Sequence, residues 1–300
     1  LLNSGLVPIV GEYGSLGCSG DLAPLAHCAL VLTGEGTVLT PDGGEVDAAT
    51  GLAQVGLKPI SLREKEGLAL INGTDGMLGQ LIMALADLDV LVPTADLAAA
   101  MTVQALCGID RVFAPDLQAL RPHPGQGVSA ANILALLEGS DLIQAGREGA
   151  VKRVQDAYSL RCAPQVHGAV RDTMAHALQV AKAELASAVD NPVITDDMRV
   201  ESNGNFHGAP VAYVLDFLAI AAADLASMSE RRTDRMLDPA RNRDLHPFLA
   251  DDPGVDSGHM IAQYTQAGIV SEMKRLAVPA SVNSIPTSAM QEDHVSMGWS

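Results

Sequence analysis

Two long stretches of this sequence, residues 211–235 and 257–278, carry apolar residues around almost the whole circumference of a helix. In the first stretch the only charged residues before Glu230 are Asp216 and Asp224. Two such helices exceed what one small core requires, so the pattern favours a mainly α fold, a long antiparallel helix bundle whose subunits share a core. Aromatic residues make up only 3% of the chain, so aliphatic helix faces must build that core.

The charge and the cysteines of the chain limit its partners and its compartment. The formal net charge is −17, which argues against nucleic-acid binding because phosphates require a basic face. The most apolar run, residues 211–226, is short and holds two aspartates, so we expect no membrane span. The four cysteines form no Cys-x-x-Cys pair, and we expect reduced thiols in a cytoplasmic protein.

The length is sufficient for a large core, and we expect a single domain over residues 1–300. The sequence begins at Leu1 without a Met and stops at Ser300 in the middle of a pattern. We therefore interpret it as an internal portion of a longer chain.

Short β-prone runs around turn residues predict two small hairpins. The first lies within residues 36–46, around a Pro-Asp-Gly-Gly turn. The second pairs residues 193–195 with residues 199–201. Between the hairpins, residues 121–126 hold two prolines and a glycine and are predicted to form a loop, and the polar, Gly-rich residues 139–152 are predicted to form a surface connection.

A small, flexible tripeptide, Cys18-Ser19-Gly20, runs straight into a predicted helix start. Asp21 is expected to be the N-cap of that helix, and Pro24 fits its first turn. Ser19 would then lie beside the helix N-terminus, where free backbone N–H groups and the helix dipole favour developing negative charge. Such a place suits an electrophile or an oxyanion.

Three interpretations of Ser19 are open from the residues alone. It can belong to a Gly-rich turn that caps a helix. It can be a nucleophile on a strand-to-helix elbow, but that motif needs Gly two positions away on both sides and only Gly17 is present. It can belong to a cyclised backbone, because Gly20 has no side chain to keep its amide nitrogen from the carbonyl carbon of Cys18. Loss of two waters would then leave an electron-poor alkene.

Asn72 lies in a polar, Gly-punctuated interruption, residues 72–76, between two apolar helical stretches. An uncharged Asn among apolar neighbours must find hydrogen bonds or lower stability. The residues alone favour a cap for the following helix, and a ligand contact is the alternative.

Gln155, Tyr158 and Arg161 recur every three residues, so on a helical turn they would face one way. An amide, a phenol and a guanidinium together can bind a carboxylate, to which Arg161 offers a two-pronged contact. The alternative is an ordinary exposed polar helix face.

The stretch Gln291-Glu292-Asp293-His294 invites a metal interpretation. We reject it because adjacent residues on a helix point apart and no other cluster has ligand spacing. Phe206, in a polar loop at residues 202–208, is predicted from its position to pack locally, and Met260 fits an ordinary helix core.

Together these motifs resemble one known family. The stretch from Gly14 to His27 resembles the signature of the aromatic amino-acid ammonia-lyases, in which Ala-Ser-Gly cyclises to 4-methylidene-imidazol-5-one (MIO). The resemblance covers essentially the whole chain, and residues 291–297 are similar to the family members that act on histidine. The chain departs from the signature at Cys18, where the family usually has Ala. Only the backbone of that residue enters the ring, so cyclisation is expected to survive.

The resemblance implies a carbon–nitrogen lyase that converts L-histidine to trans-urocanate and ammonia, the first step of histidine degradation. It implies MIO as the prosthetic group, formed from Cys18, Ser19 and Gly20, with no pyridoxal phosphate, nicotinamide or metal. It implies that Arg161 holds the substrate carboxylate and that Glu292 contacts its imidazole. The other residues that it implies at the site are Asn72, Gln155, Tyr158, Phe206, Met260 and Gln291.

The resemblance also implies an ammonia-lyase/fumarase–aspartase-like bundle and a homotetramer with shared active sites. The base that the family is proposed to use for the β-hydrogen is a Tyr of an N-terminal region outside this sequence, so these residues alone are expected to be an incomplete catalyst. An MIO-dependent tyrosine or phenylalanine ammonia-lyase or aminomutase is the alternative. A fumarase–aspartase-type lyase lacks support because its Gly-Ser-Ser-x-Met-Pro loop is absent, and a non-enzymatic scaffold would leave the polar motifs unexplained.

Overall fold

The computed structural model describes residues 1–17, 22–148 and 154–299, most of which are helical. The helices are α1 (Ala23–Leu32), α2 (Ala48–Gln54), α3 (Glu66–Ile71), α4 (Asp75–Ala105), α5 (Pro115–Ala119), α6 (Pro124–Leu137), α7 (Asp141–Arg147), α8 (Tyr158–Arg161), α9 (Ala163–Leu185), α10 (Ala209–Leu237) and α11 (Met260–Leu276). The strands are β1 (Val7–Pro8), β2 (Thr37–Leu39), β3 (Glu45–Asp47), β4 (Val193–Ile194) and β5 (Val200–Glu201). The mainly α class is confirmed.

The chain forms two compact units, each assembled from separate segments. Unit 1 comprises Leu1–Ile82, Val180–Leu215 and Ala280–Ser300, and unit 2 comprises Met83–Gln179 and Asp216–Pro279. The helices α4, α9 and α10 each contribute residues to both units.

Unit 1 contains a three-stranded antiparallel sheet in the order β1-β2-β3. Val38 of β2 pairs with Pro8 on one side and Val46 on the other. The predicted Pro-Asp-Gly-Gly turn joins β2 to β3, and this first predicted hairpin is confirmed. Burial of apolar side chains stabilises the region, in a core made of Leu6, Val31, Val38, Ala48 and Leu52.

The second predicted hairpin, also in unit 1, is β4 and β5. Ile194 pairs with Val200, and the Thr195 backbone N–H donates to the Arg199 carbonyl oxygen at 3.0 Å. The hairpin follows the end of α9 and precedes the loop that leads into α10. Its position in the chain agrees with the prediction.

Unit 2 is a packed set of helices. Val92 of α4, Val170 of α9 and Leu225 of α10 form one buried cluster. A second cluster contains Val103 near the end of α4, Phe113 and Ile133 of α6, all at most 1% exposed. These aliphatic contacts between helices agree with the low aromatic content of the chain.

A buried ionic cluster in unit 2 lies among these apolar contacts, and the sequence analysis did not predict it. Asp96 of α4 is 1% exposed and accepts hydrogen bonds from His167 Nδ1 at 2.7 Å, Arg171 Nη2 at 2.6 Å and Asn132 Nδ2 at 2.9 Å. Burial alone would raise the pKa of Asp96, but these three donors together hold the pKa below its usual value. Arg232 of α10 is 2% exposed, and burial lowers its pKa to about 10. It therefore stays charged at neutral pH.

His167, fully buried in the same cluster, is neutral in the folded protein. Burial lowers the pKa of His167 by more than Asp96 raises it. The neutral ring donates from Nδ1 to Asp96, and Nε2 is then a bare acceptor without a partner among the described residues. A lone pair without a donor costs less than a buried imidazolium charge, which accounts for the neutral ring, and the Asp96 carboxylate at Nδ1 requires the proton to be on that nitrogen.

This neutral histidine predicts a pH dependence of stability. Because the pKa of His167 is lower in the folded chain, the unfolded chain binds a proton there more readily below about pH 6.5. The free energy of unfolding therefore falls as the pH falls, by up to about 1.4 kcal/mol per pH unit. Urea denaturation between pH 7 and pH 5 measures this slope. A His167→Gln variant should show a shallower slope, and His176→Gln, at an exposed position of the same helix, should keep that of the unaltered protein. Equal slopes for His167→Gln and the unaltered protein would contradict the assignment.

The helix α10 agrees with the predicted bounds but not with the predicted burial. Its most apolar 18-residue window has a mean hydropathy of 1.7 and is 33% buried, and Phe217 and Ile220 are 48% and 46% exposed. The helix is long and apolar enough to pass a length and composition test for a membrane span, which core helices of water-soluble proteins also pass. An apolar pattern around the whole circumference predicts a central buried helix, and this prediction is wrong for a single chain. The pattern shows that a helix face is apolar, but it does not show which part of the protein, or which other chain, covers that face.

Three local predictions need correction. Residues 139–152 were predicted to be a surface connection, but residues 141–147 form α7, because Ser140 caps the helix through its hydroxyl and Ile143 is buried. The predicted loop at residues 121–126 ends early, since Pro124 begins α6. The helix after the tripeptide begins at Ala23 with Leu22 as its N-cap, whereas Asp21 was expected to cap it.

Candidate active site

The tripeptide Cys18-Ser19-Gly20 and Asp21 lie outside the described residues, so the candidate site is built from the segments that flank them. Gly17 is buried, and its carbonyl oxygen accepts a hydrogen bond from Ser296 Oγ at 2.8 Å. Its N–H donates to Ser15 Oγ at 3.1 Å, and the Trp299 N–H donates to the Leu16 carbonyl oxygen at 3.3 Å. The C-terminal segment of unit 1 therefore fixes the backbone that leads into the tripeptide.

Glycines make this close approach possible. Gly17 has φ +101°, a left-handed conformation that glycine tolerates, and a Cβ there would lie 2.6 Å from Met77 Sδ. A Cβ on Gly208 would lie 2.2 Å from the Gly17 carbonyl oxygen, and one on Gly298 would lie 2.5 Å from Met77 Sδ. A side chain at Gly208 would therefore displace the backbone next to the tripeptide, whereas at Gly17 and Gly298 the nearest atom to be displaced is the Met77 sulfur.

A narrow cleft in unit 1 brings the flanks of the tripeptide together with the segment around Asn72. Its lining residues come from both sides of residues 18–21, from the start of α4 and from the C-terminal segment. They are Ser15, Gly17, Pro24, Leu25, Ile71, Gly73, Thr74, Gly76, Met77 and Trp299. Asn72 itself follows the last residue of α3 and is 3% exposed.

The Asn72 side chain is held by two acceptors. Its Nδ2 donates to Asp190 Oδ1 at 3.1 Å and to the Asn191 carbonyl oxygen at 2.8 Å. Asp190 also pairs with Lys65 Nζ, and Lys65 adopts φ 72°, an unusual conformation for a residue with a Cβ. Asn72 does not cap α4 by these contacts, so the interpretation favoured by the residues alone is wrong. Its predicted role at the substrate stays a prediction.

Glu292, in unit 1, follows a left-handed turn. The non-Gly residues Ser288, Ala289 and Met290, which precede Gln291, have φ 49°, 56° and 69°. The Glu292 carboxylate accepts from Thr287 Oγ1 at 3.3 Å, and the Thr287 N–H donates to the Glu292 carbonyl oxygen at 2.9 Å. Strained backbone of this kind persists only where the surroundings hold it, and it is concentrated at functional sites.

Phe206 is half-buried in the loop before α10, as predicted for its loop position. The next residue, His207, stacks its ring on that of His294, with 5.6 Å between the centroids and 3° between the planes. This stacking brings the loop of Phe206 next to the segment that carries Gln291 and Glu292. Gln291 is exposed. The predicted site residues Phe206, Gln291 and Glu292 therefore belong to two neighbouring segments of unit 1.

Tyr158 and Arg161, in unit 2, interact as their spacing predicts. The Arg161 guanidinium carbon lies 4.6 Å from the centroid of the Tyr158 ring, and Arg161 Nε donates to the Asp156 carbonyl oxygen at 2.9 Å. Neither Nη atom of Arg161 bonds to another residue in the part of the chain that the structure describes. These two nitrogens are the pair that a carboxylate would engage.

The other two predicted residues of unit 2 are placed differently from the sequence pattern. Gln155 is exposed and precedes α8, which begins at Tyr158, so it does not share a helical turn with Arg161. The prediction of one common helical face is therefore wrong for Gln155, because the helix is only four residues long. Met260 is the first residue of α11 and is half-buried.

Comparison with known proteins identifies the family. A sequence profile described as aromatic amino acid lyase matches residues 1–300, the whole chain. The chain belongs to the aromatic amino acid lyase family. This confirms the family that the signature around Cys18-Ser19-Gly20 and the later motifs resembled.

Individual members of the family are also similar to the chain. Histidine ammonia-lyase of Streptomyces avermitilis is 70% identical over 300 residues, which are 100% of this chain and 58% of that protein. The crystal structure of histidine ammonia-lyase from Trypanosoma cruzi matches with a TM-score of 0.87 and 42% identity, over 99% of this chain and 55% of that one. Tyrosine aminomutase from Streptomyces globisporus matches with a TM-score of 0.89 and 40% identity, over 99% and 59%. The chain thus spans little more than half the length of these relatives, and the fold alone does not separate lyase from aminomutase.

Several residues that shape the site were missed in the sequence analysis. They are Lys65, Asp190, Gly208 and Ser296, to which the sequence analysis gave no role at the site. Asp190 and Lys65 lie 118 and 125 positions from the partners that they contact. No local pattern reports a contact at that separation.

Proposed function

We propose that this chain belongs to an ammonia-lyase that converts L-histidine to trans-urocanate and ammonia. The observation that carries the proposal is the 70% identity to histidine ammonia-lyase of Streptomyces avermitilis over all 300 residues. The reaction breaks the Cα–N bond and one Cβ–H bond of the substrate. The electron pair of the C–H bond becomes the new C=C double bond, a base takes the proton, and the amine leaves as ammonia.

The prosthetic group of the proposal is MIO, formed from Cys18, Ser19 and Gly20. The flanking residue Gly17 suits this proposal: it is fixed on both its N–H and its carbonyl, and Gly208 packs so close to it that a Cβ would not fit. Fixing the residue that directly precedes the tripeptide lowers the chain entropy that ring closure would cost. Once formed, the group supplies an electrophile that draws electron density from the substrate amine.

The residues of the chain supply binding and orientation in this proposal. The two Nη atoms of Arg161 would take the substrate carboxylate, and Glu292 would accept from the imidazole N–H. Fixing both ends of the substrate aligns the bonds that break, which is an entropic contribution to the rate. Asn72 would contact the substrate near the prosthetic group. The remaining proposed contacts are Gln155, Tyr158, Phe206, Met260 and Gln291.

The experiment that tests the proposal is a turnover assay of the full-length enzyme with L-histidine, L-tyrosine and L-phenylalanine. Formation of trans-urocanate from L-histidine, with little reaction of the other two, is expected. Conversion of L-tyrosine to a cinnamate or a β-amino acid in preference to L-histidine would favour the alternative, an MIO-dependent tyrosine or phenylalanine ammonia-lyase or aminomutase. L-tyrosine is included as a substrate because the fold also resembles that of tyrosine aminomutase.

A Glu292→Gln variant should lose turnover of L-histidine. The change keeps the shape of the side chain but replaces a charged acceptor, and a hydrogen bond to a charged group contributes about 1.5–3 kcal/mol, so kcat/KM should fall on the order of tenfold to a hundredfold. Steady-state kinetics measure the change. Glu201→Gln, at an exposed carboxylate paired with Arg199, is the matched control and should keep full activity. A Glu292→Gln enzyme with unaltered kcat/KM would remove the proposed imidazole contact.

The proposal includes a cytoplasmic homotetramer in which subunits share active sites. Exposed apolar side chains on α11 support association with further copies of the chain, and they include Ile261, Tyr264, Ile269 and Leu276, between 52% and 70% exposed. Large apolar side chains exposed along one helix favour an interface with a partner. Light scattering of the full-length protein should give the mass of a tetramer, and a monomer at micromolar concentration would contradict the assembly.

A further inference from the structure

The side-chain amide of Asn72 uses both of its N–H donors but leaves its carbonyl oxygen without a hydrogen bond among the described residues. A side-chain amide offers two N–H donors and one carbonyl acceptor. Both donors of Asn72 are engaged, one by Asp190 Oδ1 at 3.1 Å and one by the Asn191 carbonyl oxygen at 2.8 Å. Its Oδ1 is buried and has no partner among the described residues.

The orientation of this amide follows from its neighbours. Both atoms that face Nδ2 are oxygens, and rotating the amide by 180° would set Oδ1 against a carboxylate and a carbonyl. That arrangement has no donor, so only one orientation satisfies the site. The residue can therefore reach a ligand only as an acceptor, through Oδ1.

Asp190 holds the Asn72 amide in this orientation, and Lys65 and Asn203 in turn hold Asp190. Its Oδ2 pairs with Lys65 Nζ, its backbone carbonyl accepts from Asn203 Nδ2 at 2.9 Å, and both side chains of the ion pair are about one-fifth exposed. Lys65 adopts φ 72°, a conformation that Gly adopts without strain and Lys does not. A lysine at such a position indicates that its ammonium group is needed there.

We infer that Asp190, supported by Lys65, is a positioning residue that presents Asn72 Oδ1 as a hydrogen-bond acceptor to an N–H donor of the substrate, namely its α-amine. The inference rests on the proposed function, in which Asn72 lies beside the substrate. An acceptor cannot bind the substrate carboxylate, because both groups lack a proton to share.

The test is a double-mutant cycle in the full-length enzyme with L-histidine as substrate. Asp190→Asn keeps the size of the side chain but lets the neighbouring amide turn, because the new side chain offers an N–H as well as an oxygen. Misplacing a group that contacts the substrate lowers the reaction rate by up to about a hundredfold, so we expect kcat to fall on the order of tenfold or more. In the Asn72→Ala variant, adding Asp190→Asn should lower kcat no further. A positioning residue acts only through the residue that it positions, and that side chain is already absent.

Controls separate this role from a structural one. Asp197→Asn removes an exposed carboxylate paired with Arg199 and should keep full activity. The thermal midpoint of Asp190→Asn should stay close to that of the unaltered enzyme. If Asp190→Asn fails to fold, Lys65→Met replaces it in the same cycle and Lys65→Arg should restore part of kcat.

The outcomes decide between the inference and the proposed function. Suppose that the unaltered enzyme forms urocanate and that Asp190→Asn lowers kcat by the same factor whether residue 72 is Asn or Ala. The inference is then wrong and the proposed function stands. Equal kcat for Asp190→Asn and the unaltered enzyme would overturn the inference in the same way. If the unaltered enzyme does not act on L-histidine, both are overturned.

Discussion

Gly208→Ala is expected to prevent cyclisation of Cys18-Ser19-Gly20 and to leave an inactive protein. The added Cβ would lie 2.2 Å from the Gly17 carbonyl oxygen and 2.2 Å from Met77 Cε. The Met77 methyl group can move, but the carbonyl belongs to a backbone that is also bound by Ser296. The backbone must therefore shift, which costs about 1–3 kcal/mol and displaces the residue that directly precedes the ring.

Two measurements check this prediction, and one variant controls for it. Peptide mass analysis should show residues 18–20 without the loss of two waters, and turnover of L-histidine should fall on the order of a hundredfold or more. Gly204→Ala, four residues earlier in the same loop, is the matched control because a Cβ there meets nothing within 4 Å. Full activity and a dehydrated peptide in Gly208→Ala would mean that the Gly17 backbone does not control ring formation.

Asp96→Ala should strongly destabilise unit 2. It removes the acceptor for His167, Arg171 and Asn132 and leaves the buried Arg232 without a nearby carboxylate. Removing one partner of a buried ionic group costs about 3–5 kcal/mol, and we expect a loss of that size in the free energy of unfolding at pH 7.

Urea denaturation measures this loss, with Asp116→Ala as the control. Asp116 pairs with Arg111 through side chains that are 65% and 58% exposed, and an ion pair so open to solvent contributes little to stability. The two variants remove the same chemical group from an ion pair and differ in burial. If both lose about the same free energy, the buried cluster contributes no more than a surface pair, and our account of it is wrong.

Much of the fold could be predicted from local patterns, because helices and hairpins are encoded by nearby residues. The apolar stretches predicted α10 and α11, and the turn residues at positions 41–44 predicted the pairing of β2 with β3. The helix α7 was missed because Gly146 suggested flexibility. That glycine instead allows contact with the Cys107 backbone, where a Cβ would lie 2.5 Å from the carbonyl oxygen.

Less of the candidate site could be predicted from the sequence, because its geometry depends on contacts between segments that are far apart in the sequence. The identities of Asn72 and Arg161 came from the motif around each residue, but the orientation of Asn72 depends on Asp190, and the Asp96 cluster joins α4, α6 and α9. The pattern for Gln155 was misleading because a spacing of three residues implies a common face only where a helix is present. Local periodicity carries no information on any of these tertiary contacts.

The central claim is that Cys18, Ser19 and Gly20 close into a ring, and the mass of that peptide tests it most directly. Digestion of the folded full-length protein, followed by mass spectrometry, should give a peptide over residues 18–20 that is lighter by two waters. Ser19→Ala should abolish the loss. A peptide of unmodified mass from mature, folded enzyme would contradict the proposed chemistry.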